Sequence, residues 1–282
     1  MPTKKKLSKR QKTRVRPEQF QTFAECVRWN KKSVYLIARG RKIVDKTEWT
    51  TLGSGFLAKP NKLVTASHVI NDPTKKDPKM LHKEGDAYYL LRKDDENNIH
   101  LHVYPYALNK SIFIYPAEDI AIFHLEDSFY KLKGQVFARK EEYIPISKGF
   151  CAIGTEIGIL GYPISALRFE NGDFNRPIIG NILLRTDQGV VNCRYQAERV
   201  FAYQFTLSFN PGNSGGPIFD SKTGRVVSIV KGFNTILLMD KNKEIAGQGE
   251  NPPVIPGHAH ATYSVGFATP TFLDIFKKHG IL

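Results

Sequence analysis

Short runs rich in valine, isoleucine, phenylalanine and tyrosine recur along almost the whole chain, punctuated by glycine, proline, asparagine or aspartate. Examples are Ser33 to Ala38, Ile99 to Tyr104, Ile120 to Leu125, Glu156 to Gly161, Phe201 to Leu207 and Tyr263 to Ala268. Runs of this kind read as strands. Parallel strands need crossover segments of about a dozen residues, normally helical, and the stretches between these runs lack that periodicity. The chain is therefore read as all-β, with antiparallel barrels or sandwiches favoured. Helical spacing is confined to the margins: Phe20, Phe23, Ala24 and Val27 near the start, and Phe272, Ile275 and Phe276, which predict a short C-terminal helix.

A lysine- and glutamate-rich connection from Arg139 to Lys148 splits the strands into two similar groups, so the expected units are 1–18, 19–145 and 146–282. Lys93-Asp94-Asp95-Glu96-Asn97-Asn98 reads as a polar hairpin turn, since it lacks the glycine and closing glutamate of a calcium loop. Asp240 to His260, rich in glycine and proline, reads as a long irregular loop.

Of the net charge of +14, eight positive charges come from Lys4, Lys5, Lys6, Lys9, Arg10, Lys12, Arg14 and Arg16, with no acid among them. Such a tail, without apolar periodicity, is expected to be disordered, and it suits a polyanion or an acidic protein partner through long-range attraction and counterion release. Solubilising or targeting extensions have the same composition. No apolar run approaches the roughly 20 residues of a membrane-spanning helix, and no signal-peptide core follows Met1. Cys26, Cys151 and Cys193 are too scattered for a disulfide framework or a zinc motif. Free thiols and a cytoplasmic location are expected.

Chemistry concentrates in Asn210-Pro211-Gly212-Asn213-Ser214-Gly215-Gly216-Pro217. Glycine and proline around one serine describe a tight backbone that presents a hydroxyl, with amides converging on one point. Acyl transfer needs that arrangement: Ser214 as nucleophile, and the backbone of Gly212, Asn213 and Ser214, chiefly the amides of Gly212 and Ser214, as an oxyanion hole. A serine hydroxyl also needs a base held by a third group. His68, just beyond the run Leu63-Val64-Thr65, is the candidate base. Asp119, at the mouth of the apolar run Ile120-Ala121-Ile122-Phe123, is the candidate orienting carboxylate, because a carboxylate partly desolvated there calls for a partner such as an imidazole N–H. Asp127 competes but opens a polar turn.

Thr-Ala-Ser-His at 65–68, Asp-Ile-Ala at 119–121 and Gly-Asn-Ser-Gly-Gly-Pro at 212–217 resemble, in that order, the signature segments of trypsin-like serine proteases, particularly the bacterial HtrA-like branch. Gly53 to Phe56, Gly224 to Ser228 and Val265 to Ala268 extend the resemblance, which runs from about Lys32 to the C-terminus. It implies two six-stranded antiparallel barrels with the site in the cleft between them, His68 and Asp119 from the first and Ser214 from the second. It also implies a protein or peptide substrate and no cofactor. The position six residues before the nucleophile, at the base of the S1 pocket in the resembling family, is Ser208. With no acid there, a small or medium apolar side chain is expected at the cleaved position. Lys231, Gly232 and Phe233 correspond to the strand that pairs with substrate backbone, with Phe233 narrowing the pocket entrance. The branch usually carries an export signal and a PDZ domain, and neither is read here.

Two alternatives use the same residues differently. Gly212 to Gly216 also fits the Gly-x-Ser-x-Gly elbow of α/β-hydrolases, with Asp240 and His258 as nominal partners, but that elbow links a strand to a helix. The other is a latent or inactive protease-like binding module acting through the basic tail. The pairs His100 with His102 and His258 with His260 are read as ordinary strand or loop histidines, and no metal site is expected.

Overall fold

The computed structural model describes residues 16–43, 46–70, 87–95, 98–104, 111–125, 131–132, 135–136, 142–163, 167–169, 177–179, 184–197, 200–238 and 259–282. The long loop read over Asp240 to His260 and the basic residues from Lys4 to Arg14 lie outside these, apart from His260 and its neighbour. The described chain is all-β except at short α-helices, α1 (Phe23–Asn30), α2 (Ser67–Ile70) and α3 (Leu273–Lys278), the last being the expected C-terminal helix, and at 3-10 turns over Lys31–Ser33 and Thr269–Phe272. Among the described residues no helix is long and apolar enough to cross a membrane.

The first sheet contains β1 (Val34–Ile43), β2 (Lys46–Lys59), β3 (Lys62–Thr65), β4 (Ala87–Asp95), β5 (Asn98–Tyr104), β6 (Ile112–Tyr115) and β7 (Ile120–His124). Its order is β5-β4-β1-β2-β3-β7-β6, every pair antiparallel, so it has seven strands where six were expected. The acidic run at 93–98 does join a hairpin, β4 to β5, with Asp95 opposite Asn98. A small hairpin, β8 (Lys131–Leu132) and β9 (Gln135–Val136), follows.

The second group is a closed six-stranded barrel built from β10 (Glu156–Gly161), β13 (Arg185–Ala197), β14 (Val200–Phe205), β17 (Ala259–Ala268), β16 (Val226–Leu238) and β15 (Pro217–Asp220), adjacent in that order. The strands β11 (Leu167–Phe169) and β12 (Pro177–Ile179) form a separate hairpin.

Side chains alternate across a strand, and here both faces find a core. On β1, Tyr35 and Ile37 pack with Leu57, Leu63, Tyr88 and Phe123 inside the first sheet. Val34, Leu36 and Ala38 face the other way, into a cluster shared with Leu160, Tyr162, Phe219, Ile229 and Phe267 of the second barrel. This double burial explains the unbroken apolar run at 34–38. The second barrel has its own interior of Ile157, Ile159, Val191, Tyr203, Ile218 and Val230.

The chain ends cross over between the halves. Residues 16–30, divided by sequence between the tail and the first unit, lie on the second barrel: the Phe20 amide donates to the Lys222 carbonyl (2.7 Å), Phe23 stacks on Phe219, and Asn30 Nδ2 donates to the Gly224 carbonyl (3.1 Å). Arg16, expected in a disordered tail, instead donates to Asn30 Oδ1 (3.0 Å) and to the Gly224 carbonyl (2.9 Å), because its guanidinium finds fixed acceptors there. At the other end His279, just past α3, reaches Tyr115 and His124 of the first sheet. The connection at 142–147 is hydrogen-bonded to both halves, Ile144 N–H to the Leu57 carbonyl and Ser147 N–H to the Val226 carbonyl.

Candidate active site

The register of β3 and β7 sets Thr65 opposite Ala121. Because the strands are antiparallel, the residues after Thr65 and those before Ile120 emerge at one edge of the sheet. His68 on α2 and Asp119 meet there, His68 Nδ1 lying 2.8 Å from Asp119 Oδ2 and 3.0 Å from Oδ1. Asp119 Oδ1 also accepts the His68 backbone N–H (3.0 Å) and the Ser67 hydroxyl (2.8 Å). Asp119 has φ +51°, closing a turn with its N–H on the Pro116 carbonyl (3.2 Å). A non-glycine residue in that region is uncommon and is held there by its surroundings.

Burial pushes the Asp119 carboxyl up, but the His68 side chain, the His68 amide and the Ser67 hydroxyl together hold it below its ordinary value. An ionised carboxylate only accepts. The Nδ1 of His68 therefore carries the proton, and Nε2 is left as the basic nitrogen.

Ser214 stands at the joint of two successive turns. In the first, Asn213 N–H donates to the Asn210 carbonyl (3.0 Å), with Pro211 and Gly212 (φ +96°) between them. In the second, Gly216 N–H donates to the Asn213 carbonyl (2.9 Å) across Ser214 and Gly215 (φ +79°). Each turn needs positive φ at its third residue, and glycine supplies it. The pair is bolted to both halves. Ser54 N–H donates to the Ser214 carbonyl (2.8 Å), Ser54 Oγ donates to the Gly212 carbonyl (2.8 Å), and Gly215 N–H donates to the Val230 carbonyl (2.9 Å). A Cβ at Gly215 would fall 2.8 Å from the Ala66 amide, and one at Gly53 would fall 2.8 Å from both the Ser214 carbonyl and Val69. The serine turn thus lies directly against the segment that carries His68.

Among the described residues, neither the Gly212 nor the Ser214 amide has an acceptor. Asn213, grouped with them by sequence, differs: its amide is committed to Asn210, and its side chain is buried with Oδ1 unpartnered among the described residues. The Ser214 hydroxyl donates to the Lys231 carbonyl (3.3 Å), and among the described residues no hydrogen bond joins it to His68.

The Lys231 carbonyl is available because the β16–β17 register skips that residue, pairing Val230 with Gly266 and Gly232 with Val265. Such a bulge re-aims the backbone. Its ammonium turns away onto the Phe267 ring, 4.8 Å from the centroid. Gly232 has open space where a Cβ would stand, and Phe233 follows it in β16, opposite Ser264. Ser208 is exposed, its amide 3.5 Å from Asp187 Oδ2, while the Phe209 amide donates to Ser264 Oγ (3.1 Å). The Asp187 contact arises from β13 and has no signal in the sequence around Ser208. Nor did sequence reasoning single out Ser54 or Ser67, although both stand inside the motifs quoted above. Among the described residues, no group of three or more His, Cys, Asp or Glu converges as a metal site would.

Among solved structures, the active form of the Rv3671c protease from M. tuberculosis is similar with a TM-score of 0.51 at 14% identity, over 96% of this chain and 93% of that one. The serine endoprotease from Yersinia pestis gives a TM-score of 0.48 at 17% identity, over 93% of this chain and 66% of that one. Identities this low bear on fold alone. No curated protein sequence matches the chain. Residues 53–229 match the family described as Trypsin-like peptidase domain, a span that takes in the His68, Asp119 and Ser214 segments. With more than half of its 282 residues inside that match, the chain belongs to the trypsin-like peptidase domain family.

Proposed function

We propose that the chain is a serine endopeptidase working through an acyl-enzyme on Ser214. The observation that carries this is the packing of the glycine-turned Ser214 against the segment that bears the His68–Asp119 pair, with two amides beside the hydroxyl that have no acceptor among the described residues. Ser214 Oγ attacks the scissile carbonyl carbon while His68 Nε2 takes its proton. The resulting oxyanion is held by the amides of Gly212 and Ser214. Collapse breaks the C–N bond, and His68 returns the proton to the leaving amine. Water, deprotonated by His68, then attacks the ester and frees Ser214. Asp119 fixes the imidazole tautomer and stabilises its cation throughout. The substrate backbone lies along Lys231, Gly232 and Phe233 as an added strand, with a small or medium apolar side chain over Ser208.

The test compares wild type with Ser214→Ala, using a serine-directed fluorophosphonate and casein. Wild type is labelled and cleaves casein. The variant does neither, its turnover down by about 10⁶. Labelling that survives in the variant rejects Ser214 as nucleophile.

One observation favours a second reading, a latent form that acts as a binding module. The Ser214 hydroxyl rests on the Lys231 carbonyl and not on His68. A single χ1 rotation separates staggered positions of a serine hydroxyl, so a bound substrate or partner selects between them. In this reading the Lys4–Arg16 charges recruit a polyanion or acidic protein. Wild type that resists the fluorophosphonate until such a partner is added would favour it.

A further inference from the structure

We propose that Ser67 is a positioning residue for the His68–Asp119 pair, an inference that rests on the peptidase reading. Ser67 is the first residue of the one-turn helix α2, and its hydroxyl is not used within that turn: it donates to Asp119 Oδ1 at 2.8 Å, while the Val69 amide goes to the Ala66 carbonyl (3.2 Å). The residue is 4% exposed, so water does not substitute for that bond.

The geometry says what the bond does. A carboxylate torsion is broad and two-fold, with no staggered well to hold it. Asp119 Oδ1 accepts from Ser67 Oγ and from the His68 amide at 3.0 Å, two donors fixed by the backbone of α2. Together they pin Oδ1, and the pin leaves Oδ2 facing His68 Nδ1 at 2.8 Å. Every hydrogen bond that the Asp119 carboxylate receives among the described residues comes from 67–68. The Ser67 hydroxyl is the one member of that set that can be deleted without touching the imidazole or the backbone.

The test uses full-length Ser67→Ala and Ser67→Thr, a small peptide ester, and the Nδ1–H proton resonance of His68. Ser67→Ala lowers kcat about tenfold with KM within about twofold of wild type, the loss expected for a hydrogen bond to a charged group. Its Nδ1–H resonance shifts or broadens, which a purely structural role would not cause in a protein that still binds substrate normally. Ser67→Thr, which keeps the donor, restores both. Wild-type kcat with an unmoved resonance in Ser67→Ala overturns the proposal, as does a loss that raises KM alone. If Ser67→Thr does not fold, the resonance of Ser67→Ala decides. Wild type that is inert to fluorophosphonate sinks the peptidase reading and this inference with it; active wild type with an indifferent Ser67→Ala sinks only the role of Ser67.

Discussion

Gly215 packs against Thr65 so closely that a side chain on Gly215 would overlap the Thr65 hydroxyl and the Ser54 carbonyl. The absence of one Cβ is what lets the Ser214 turn from the second barrel touch the strand that leads to His68. Positive φ at the same residue adds a second reason for glycine. Gly215→Ala is expected to destabilise the fold by about 2–4 kcal/mol, combining overpacking with left-handed strain. Chemical denaturation measures that loss. Fluorophosphonate labelling should fall with it even under conditions where the variant remains folded.

Asp119→Asn is the sharpest probe of the tautomer argument. An amide in place of the carboxylate can donate as well as accept, so it no longer forces the proton onto Nδ1 of His68. The expected fall in kcat is about 10⁴, the size known for this change in a Ser-His-Asp template, with little change in Tm. A fall below tenfold in steady-state kinetics would mean that Asp119 does not orient the base.

Much of this arrangement was legible in the sequence. His68, Asp119 and Ser214 stand in short motifs whose residue types have few other uses, and the apolar runs at 34–38 and 120–125 announce strands. What stayed hidden depends on contacts between distant segments. Ser54, at the centre of the Gly212, Ser214 and Tyr162 bonds, is an ordinary serine until the halves meet. Asp187 reaches Ser208 from strand β13. Arg16 was submerged in a charge run, where nothing in the sequence marks its docking on Asn30 and Gly224. The seventh strand of the first sheet follows from the same limit, since apolar runs are readable as strands while the sheet each one joins is decided by pairing between distant segments.

A pH dependence follows from the C-terminal strap. His124 Nε2 lies 2.8 Å from His279 Nδ1, and His279 Nε2 lies 2.6 Å from the Tyr115 hydroxyl. Phe113 flanks both rings, Lys62 pairs across from His124 in β3, and Lys278 sits over Tyr115. Burial first, then the charges of Lys62 and His279, lower His124 to about 4, and burial with Lys278 and Lys62 lowers His279. A histidine depressed in the folded state binds its proton more readily when unfolded. Its contribution is complete above the unfolded value near 6.5 and is lost as pH falls toward about 4. Tm should therefore drop between pH 7 and pH 4.5, and His124→Gln should flatten that drop. An equal slope in both proteins would remove the pair as its source.

The two parts of the basic segment should separate on truncation. Removing residues 1–15 takes away seven positive charges, Lys4, Lys5, Lys6, Lys9, Arg10, Lys12 and Arg14, yet leaves Arg16 on Asn30 and Gly224. Heparin or a nucleic acid should then bind more weakly and with a shallower salt dependence, while urea unfolding stays unchanged. Arg16→Ala in the full-length chain should do the reverse: it leaves the Gly224 carbonyl and Asn30 one donor short, costing about 1–2 kcal/mol of stability, and removes only one charge from the salt slope. A truncation that unfolds the protein as Arg16→Ala does would show that the segment acts as one structural unit, with no separate role for its charge.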